Sequence, residues 1–183
     1  MGYPILILGV ALWSVAHLFK RLAPERRAVL GDAGKGLVAI ALLVAILLMI
    51  FGYRWAEPVW LWSPPPFLRH VNNLLVFIGF YLFAASGLQT RVMRTIRHPQ
   101  LSGFKAWALA HLLVVPTLAG IILFGGLLAW AVVAVIMINR AEPAWTRPAS
   151  ATPAREAGAV VIAIVATAVV GWIHGWLGAW PFG

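Results

Sequence analysis

The sequence predicts an all-α protein: a polytopic membrane bundle of six transmembrane helices, forming one domain over residues 1–183 with both termini outside the cytoplasm. Three observations predict it. Apolar residues make up 62% of the chain and charged residues 10%, with a mean hydropathy of +0.91, whereas a soluble domain carries about 25% charged residues. So few charges cannot cover a water-facing surface, and most of the surface must meet lipid. The apolar residues also fall into runs long enough to cross a hydrocarbon core of about 30 Å, which takes about 20 helical residues. Finally, twelve of the 14 Lys and Arg lie in alternate loops.

The first run covers residues 3–19. No basic segment precedes it, and Lys20 and Arg21 follow it, the reverse of a secretory signal. The second covers 36–55, entered through Gly34 and Gly36, and the third covers 71–88. The apolar stretch 101–138 is too long for one helix. Pro116 and Gly120 interrupt it, so it divides into 101–115 and 117–138. The sixth run is 157–177. Between the second and third, residues 57–66 contain Pro58 and the run Pro64, Pro65 and Pro66, which predicts an irregular loop. The segment 149–155 is small and polar and is expected to be mobile. Gly171 and Gly175 fall on one face of the last helix, where they are expected to admit a neighbouring helix.

Charge sets the orientation. Loop 20–35 carries Lys20, Arg21, Arg26, Arg27 and Lys35. Loop 89–105 carries Arg91, Arg94, Arg97 and Lys105, and loop 139–156 carries Arg140, Arg147 and Arg155. Only Arg54 and Arg69 lie on the other side. The positive-inside rule places the first set in the cytoplasm. Trp55, Trp60, Trp62, Trp172, Trp176 and Trp180 then all fall at the outer boundary, where indoles are favoured. The net charge of +9 sits in short loops against lipid headgroups, so the partner it implies is membrane lipid and not nucleic acid.

The chemistry open to the chain is narrow. There is no cysteine, which excludes disulfides and thiolate metal sites. Glu25, Asp32, Glu57, Glu142 and Glu156 all lie outside the predicted spans, so no carboxylate relay or carboxylate metal site exists at membrane depth. Histidine remains. His70 and His98 sit at helix starts, His98 ahead of Pro99, and read as boundary or loop residues. His174, between Trp172 and Trp176, reads as part of the aromatic belt. His17, near the end of the first helix, is either a boundary residue or functional. His111 lies roughly 15 Å into the fourth span, about ten residues from its start, beside Trp107 and far in sequence from any charge. It either hydrogen-bonds another helix or binds a ligand. Two neutral imidazoles on different helices can take the axial positions of a haem iron among Trp13, Phe104 and Trp107, with Lys20, Arg21 and Lys105 available to propionates.

Three stretches carry a family resemblance. The first helix ends His17-Leu-Phe-Lys-Arg-Leu-Ala-Pro24-Glu-Arg26-Arg27. The centre reads Arg97-His98-Pro99-Gln-Leu-Ser-Gly103-Phe-Lys-Ala-Trp107-Ala-Leu-Ala-His111-Leu-Leu. Leu123-Phe-Gly-Gly-Leu-Leu-Ala-Trp130 follows. Along most of its length the chain resembles the NnrU family of bacterial membrane proteins. The resemblance implies a multi-pass protein of the bacterial inner membrane that supports respiratory nitrite and nitric oxide reduction (denitrification), with nitrite or nitric oxide reductase components as partners. The family is similar to 15-cis-zeta-carotene isomerase, a membrane haem b protein with two histidine ligands. This implies haem b held by His17 and His111, with Trp107, Arg97 and His98 in the cofactor-binding set. The chain departs from the usual family pattern after the histidine-leucine-leucine. It reads Val114-Val115-Pro116-Thr117, where Ala-Asn-Gly-Asp is common. Joining His17 to the deeper His111 also requires the first helix to run on to Ala23, with Lys20 and Arg21 snorkelling.

Other classes compete. Cis–trans isomerisation of a polyene such as a carotenoid is one, and cofactor-free assembly of a respiratory complex is another. Arg97-His98-Pro99 with Gly103 is also similar to the S-adenosylmethionine element of isoprenylcysteine and phospholipid methyltransferases. The acidic and aromatic C-terminal element of those enzymes has no counterpart here, where Glu142 and Glu156 sit in a short loop before a bare helix.

Overall fold

The computed structural model describes residues 1–149 and 151–182. It is all-helical. In chain order the helices are α1 (Gly2–Leu22), α2 (Pro24–Val29), α3 (Ala33–Trp55), α4 (Leu68–Leu88), α5 (Pro99–Val114), α6 (Leu118–Ala141) and α7 (Pro153–Trp176). A 3₁₀ turn (Arg91–Arg94) follows α4, and Ile121–Gly125 within α6 is wound as a π-turn. Five helices, α1, α3, α4, α6 and α7, are long and apolar enough to cross a membrane. At 16 residues, α5 is shorter, about 24 Å at helical rise.

Every long apolar run is a helix, displaced from expectation by a few residues at each end. Three ends differ for visible reasons. α1 continues through Lys20 and Arg21 to Leu22, with Ala23 as its cap. The basic loop holds the short helix α2, opened by Pro24, and the Arg27 guanidinium donates to the Gly31 carbonyl. The segment 149–155, expected to be a loop, is helical from Pro153, while Ser150 lies outside the described residues. Exposed side chains of the long helices are apolar. Leu37, Ile40, Leu43 and Leu47 on α3 and Val161, Ile164 and Val165 on α7 are examples, the reverse of a water-soluble bundle.

The chain divides into two compact units. The first comprises residues 1–63 and 115–137. Here α1 packs along α3 at glycines: a Cβ on Gly9 would stand 2.8 Å from the Met49 nitrogen, and Gly52 lies against the backbone of fully buried Leu6. Without a hydrophobic drive between helices in lipid, such backbone approach is what packing rewards. The loop after α3 pairs with the chain entering α6. Leu61 N–H donates to the Pro116 carbonyl (2.8 Å), Leu118 N–H to the Val59 carbonyl (2.9 Å), and Trp60 faces Thr117 in a single antiparallel bridge. Thr117 then caps α6, its Oγ1 accepting from Gly120 N–H at 3.1 Å.

The second unit comprises residues 64–114 and 138–183. α4 is its spine, with α5 packed on one side and α7 on another. At the α4–α5 crossing Gly79 and Gly103 bring the two backbones together. α4 ends at Gln89 in the left-handed conformation (φ 54°), and Arg91 N–H donates to the Glu156 carboxylate at the start of α7 (2.7 Å). Gly171 and Gly175 were expected from their spacing to admit a neighbouring helix, but the chain's own tail lies against them. The chain after α7 folds back, and the rings of Phe182 and Trp180 occupy those two positions. Asn73 Nδ2 donates to the Pro181 carbonyl (2.8 Å) and ties the tail to α4.

Candidate cofactor site

Four histidines lie in helices; His70 is in the first turn of α4, and the other three adopt one local arrangement. Nδ1 of each ring meets the carbonyl oxygen four residues earlier: His17 with Trp13 (3.1 Å), His111 with Trp107 (2.9 Å) and His174 with Val170 (2.8 Å). A carbonyl accepts only, so Nδ1 carries the proton and Nε2 the lone pair. That is the tautomer that binds a metal, and an anchoring hydrogen bond on the other nitrogen is the usual support of a metal-bound histidine.

In the second unit, His111 and His174 are both half-buried and line one cleft between α5 and α7, floored by α4. Their ring centres are 6.4 Å apart, at an interplanar angle of 46°. The Trp107 ring lies 5.1 Å from His111, and Phe80, Val76 and Phe182 complete an apolar wall. The cavity volume of the cleft is about 70 Å³, below the range of drug-sized ligand pockets. Its polar edge is Asn72, Asn73 and Thr167. Asn72 is buried; with its amide nitrogen turned toward α5 it donates to the Ala110 carbonyl (3.1 Å), and its oxygen accepts from Asn73 N–H (3.3 Å). Thr167 Oγ1 donates to the Ala163 carbonyl (2.8 Å).

In the first unit, His17 has an exposed side chain packed between two indoles. Its ring centre is 4.2 Å from that of Trp13 and 4.7 Å from that of buried Trp130, and the two indoles meet edge-on at 5.5 Å. A polar hollow beside it is lined by Lys20, Arg27 and Lys35.

A family model described as NnrU protein matches residues 5–181, which takes in both histidine settings. The chain belongs to the NnrU family. No curated protein and no solved structure matches it.

The remaining residues singled out in this NnrU protein fall elsewhere in its second unit. Arg97 spreads its guanidinium over the carbonyls of Glu142, Pro143 (3.4 Å) and Ala144 (3.1 Å), where α6 ends. His98 Nε2 meets Asn139 Oδ1 at 2.8 Å. These two side chains clasp the chain leaving α6, while Trp107 stands beside His111. Sequence reasoning missed Asn72, Asn73 and Thr167, and it assigned His174 to the aromatic belt. The signal available was a pair of adjacent amides inside an apolar run, a costly pairing unless both are bonded.

Neutral imidazoles with their lone pairs on Nε2, among aromatic and aliphatic walls, are donors of the kind that can hold a haem iron. Among the described residues no group of three or more His, Asp or Glu is placed to hold a bare metal ion.

Proposed function

We propose that this NnrU protein is a six-span protein of the bacterial inner membrane that binds haem b and supports respiratory nitrite and nitric oxide reduction. The supporting observation is His111. It is a neutral imidazole with its lone pair on Nε2, set in an apolar aromatic cleft. His17 is the second ligand implied by the carotene isomerase resemblance, and its own ring has the same tautomer. When bound, haem supplies one-electron redox chemistry. The chain's residues fix imidazole orientation, exclude water from the cleft and hold the apolar walls.

The test is an absorption spectrum, reduced minus oxidised, of the protein purified from a haem-replete membrane. The expected result is a Soret band and α/β bands, abolished or displaced in His111→Ala. A colourless protein that co-purifies with a nitrite or nitric oxide reductase component would instead support a cofactor-free assembly role.

A second reading has its own observation. An adjoining cleft of about 200 Å³, lined by Phe83, Gly103 and Phe104, shares Val76, Phe80 and Trp107 with the first. Together they form an apolar trough along α4 that suits an elongated polyene. Conversion of a cis-carotenoid to its trans isomer by the haem-loaded protein, followed by chromatography, tests it.

A further inference from the structure

We propose that the hollow at the basic end of α1 seats the phosphate of one anionic phospholipid, held by Lys20, Arg27 and Lys35. The hollow has a volume of about 270 Å³, and Ala16, His17 and Val38 complete its lining. It lies wholly within the first unit and is assembled from three helices: α1 brings Lys20, α2 brings Arg27 and α3 brings Lys35. Haem is not required for it.

Three cations converge here, and no carboxylate lines the hollow. Asp32 meets Lys35 at 2.8 Å, but the two side chains are 93% and 74% exposed, and such a pair is worth little in water. Helix ends account for two of the cations. Lys20 and Arg27 stand in the last turns of α1 and α2, where a positive charge complements the macrodipole. Lys35 stands in the first turn of α3, the end that disfavours a cation. An anion among the three offsets both their mutual repulsion and that placement.

The half-buried Arg27 is already held for such a ligand. Its Nη1 donates to the Gly31 carbonyl at 2.9 Å. The guanidinium also lies across buried Gly34, where an added Cβ would stand 2.7 Å from Nη1. A guanidinium carries five N–H donors, and the Gly31 bond uses one. The others keep the planar fork that matches phosphate oxygens.

The surroundings select a lipid over a free anion. The hollow lies at the ends of two apolar spans, α1 and α3, and Ala16 and Val38 give it an apolar wall. Farther along the same helices, Val15 on α1 and Leu37, Ile40 and Leu43 on α3 are exposed. A ligand with an anionic head and a hydrocarbon body meets both surfaces, and basic pockets between membrane helices bind anionic headgroups.

The experiment is native mass spectrometry of the full chain in detergent, titrated with phosphatidylglycerol, with phosphatidylcholine and with inorganic phosphate. Wild type is expected to retain one phosphatidylglycerol in preference to phosphatidylcholine, and inorganic phosphate leaves it in place. Lys20→Gln, Arg27→Gln and Lys35→Gln each weaken phosphatidylglycerol binding roughly fivefold, without changing phosphatidylcholine binding. Arg91→Gln, Arg94→Gln and Arg140→Gln, outside the hollow, leave the preference intact. If one hollow variant does not accumulate, the other two carry the test. Equal weakening by both sets means diffuse charge in place of a site and overturns the proposal, as does a wild type that does not distinguish the two lipids. Displacement by inorganic phosphate overturns the lipid assignment in favour of a free anion. Bound haem registers as a separate mass, so the lipid site and the haem reading fail independently.

Discussion

Phe182 lies on Gly171: the last residues of the chain turn back so that an aromatic ring fills the space a side chain would take on α7. The same turn places Pro181 where Asn73 donates to its carbonyl, and both tail residues wall the histidine cleft. Gly171→Ala should therefore act on the tail before it acts on the helix. The ring is the far end of a side chain and can swing aside, so the cost to global stability should stay under about 1 kcal/mol. The displaced tail should nevertheless exchange faster. Hydrogen exchange of residues 177–182 in Gly171→Ala and Asn73→Ala, beside wild type, checks this. Unchanged protection in both variants would mean that the tail is held by something other than these contacts.

Glycines at backbone crossings should behave differently. A Cβ on Gly103 would stand 2.6 Å from the Gly79 carbonyl oxygen, and backbone on both sides leaves nothing flexible to yield. Gly103→Ala should cost about 1–3 kcal/mol, as overpacking does. Gly36, in the first turn of α3, has nothing within 4 Å of its added Cβ. Gly36→Ala should be neutral or stabilise by up to about 1 kcal/mol through helix propensity. Thermal unfolding in one detergent, both variants side by side, checks the contrast.

How far the fold could be read in advance follows from which forces set it. Apolar runs are set by lipid thickness, a one-dimensional constraint, so every long apolar run was legible as a helix, and Pro116 marked the break between α5 and α6. The π-turn at Ile121–Gly125 is announced by no local pattern, and the adjoining Gly126 lies against Val10, a residue distant in the chain. The folded-back tail depends likewise on Asn73 and Pro181 meeting across the chain. His111 stood out because a lone ionisable group deep in an apolar run is conspicuous. His174 did not, because its tryptophan neighbours gave it an ordinary interfacial explanation. Counting both from the ends of their helices would have put them at one level.

Arg97 should matter through its shape as well as its charge. Its fork reaches three successive carbonyls just beyond the end of α6. Lysine carries the charge but not the fork, so Arg97→Lys should not restore what Arg97→Ala loses. The site is solvent-exposed, and its share of global stability should be no more than about 1 kcal/mol. The local effect is larger and readable. Trypsin should cut at Arg147 faster in both variants than in wild type, in membranes with the cytoplasmic face accessible. Equal cleavage in all three would separate Arg97 from the order of this loop.

The number of spans between residues 63 and 115 can be argued from one contact set. Leu61 pairs with Pro116 and Val59 with Leu118, so the chain leaving α3 and the chain entering α6 meet at one place. Both segments then lie at the same membrane face, and the stretch between them must cross an even number of times. α4 is long enough to cross. This supports α5 as the returning span although it has 16 residues, with the hydrocarbon thinned or the helix upright to match. The absence of cysteine makes the test direct, because each single introduced cysteine is the only thiol in the protein. Cysteines at Val59 and Gly178 should react with an impermeant maleimide in intact spheroplasts, and those at Ala28, Thr95 and Ala144 only after lysis. Labelling of Thr95→Cys from the outside would remove both α4 and α5 from the membrane and leave four spans.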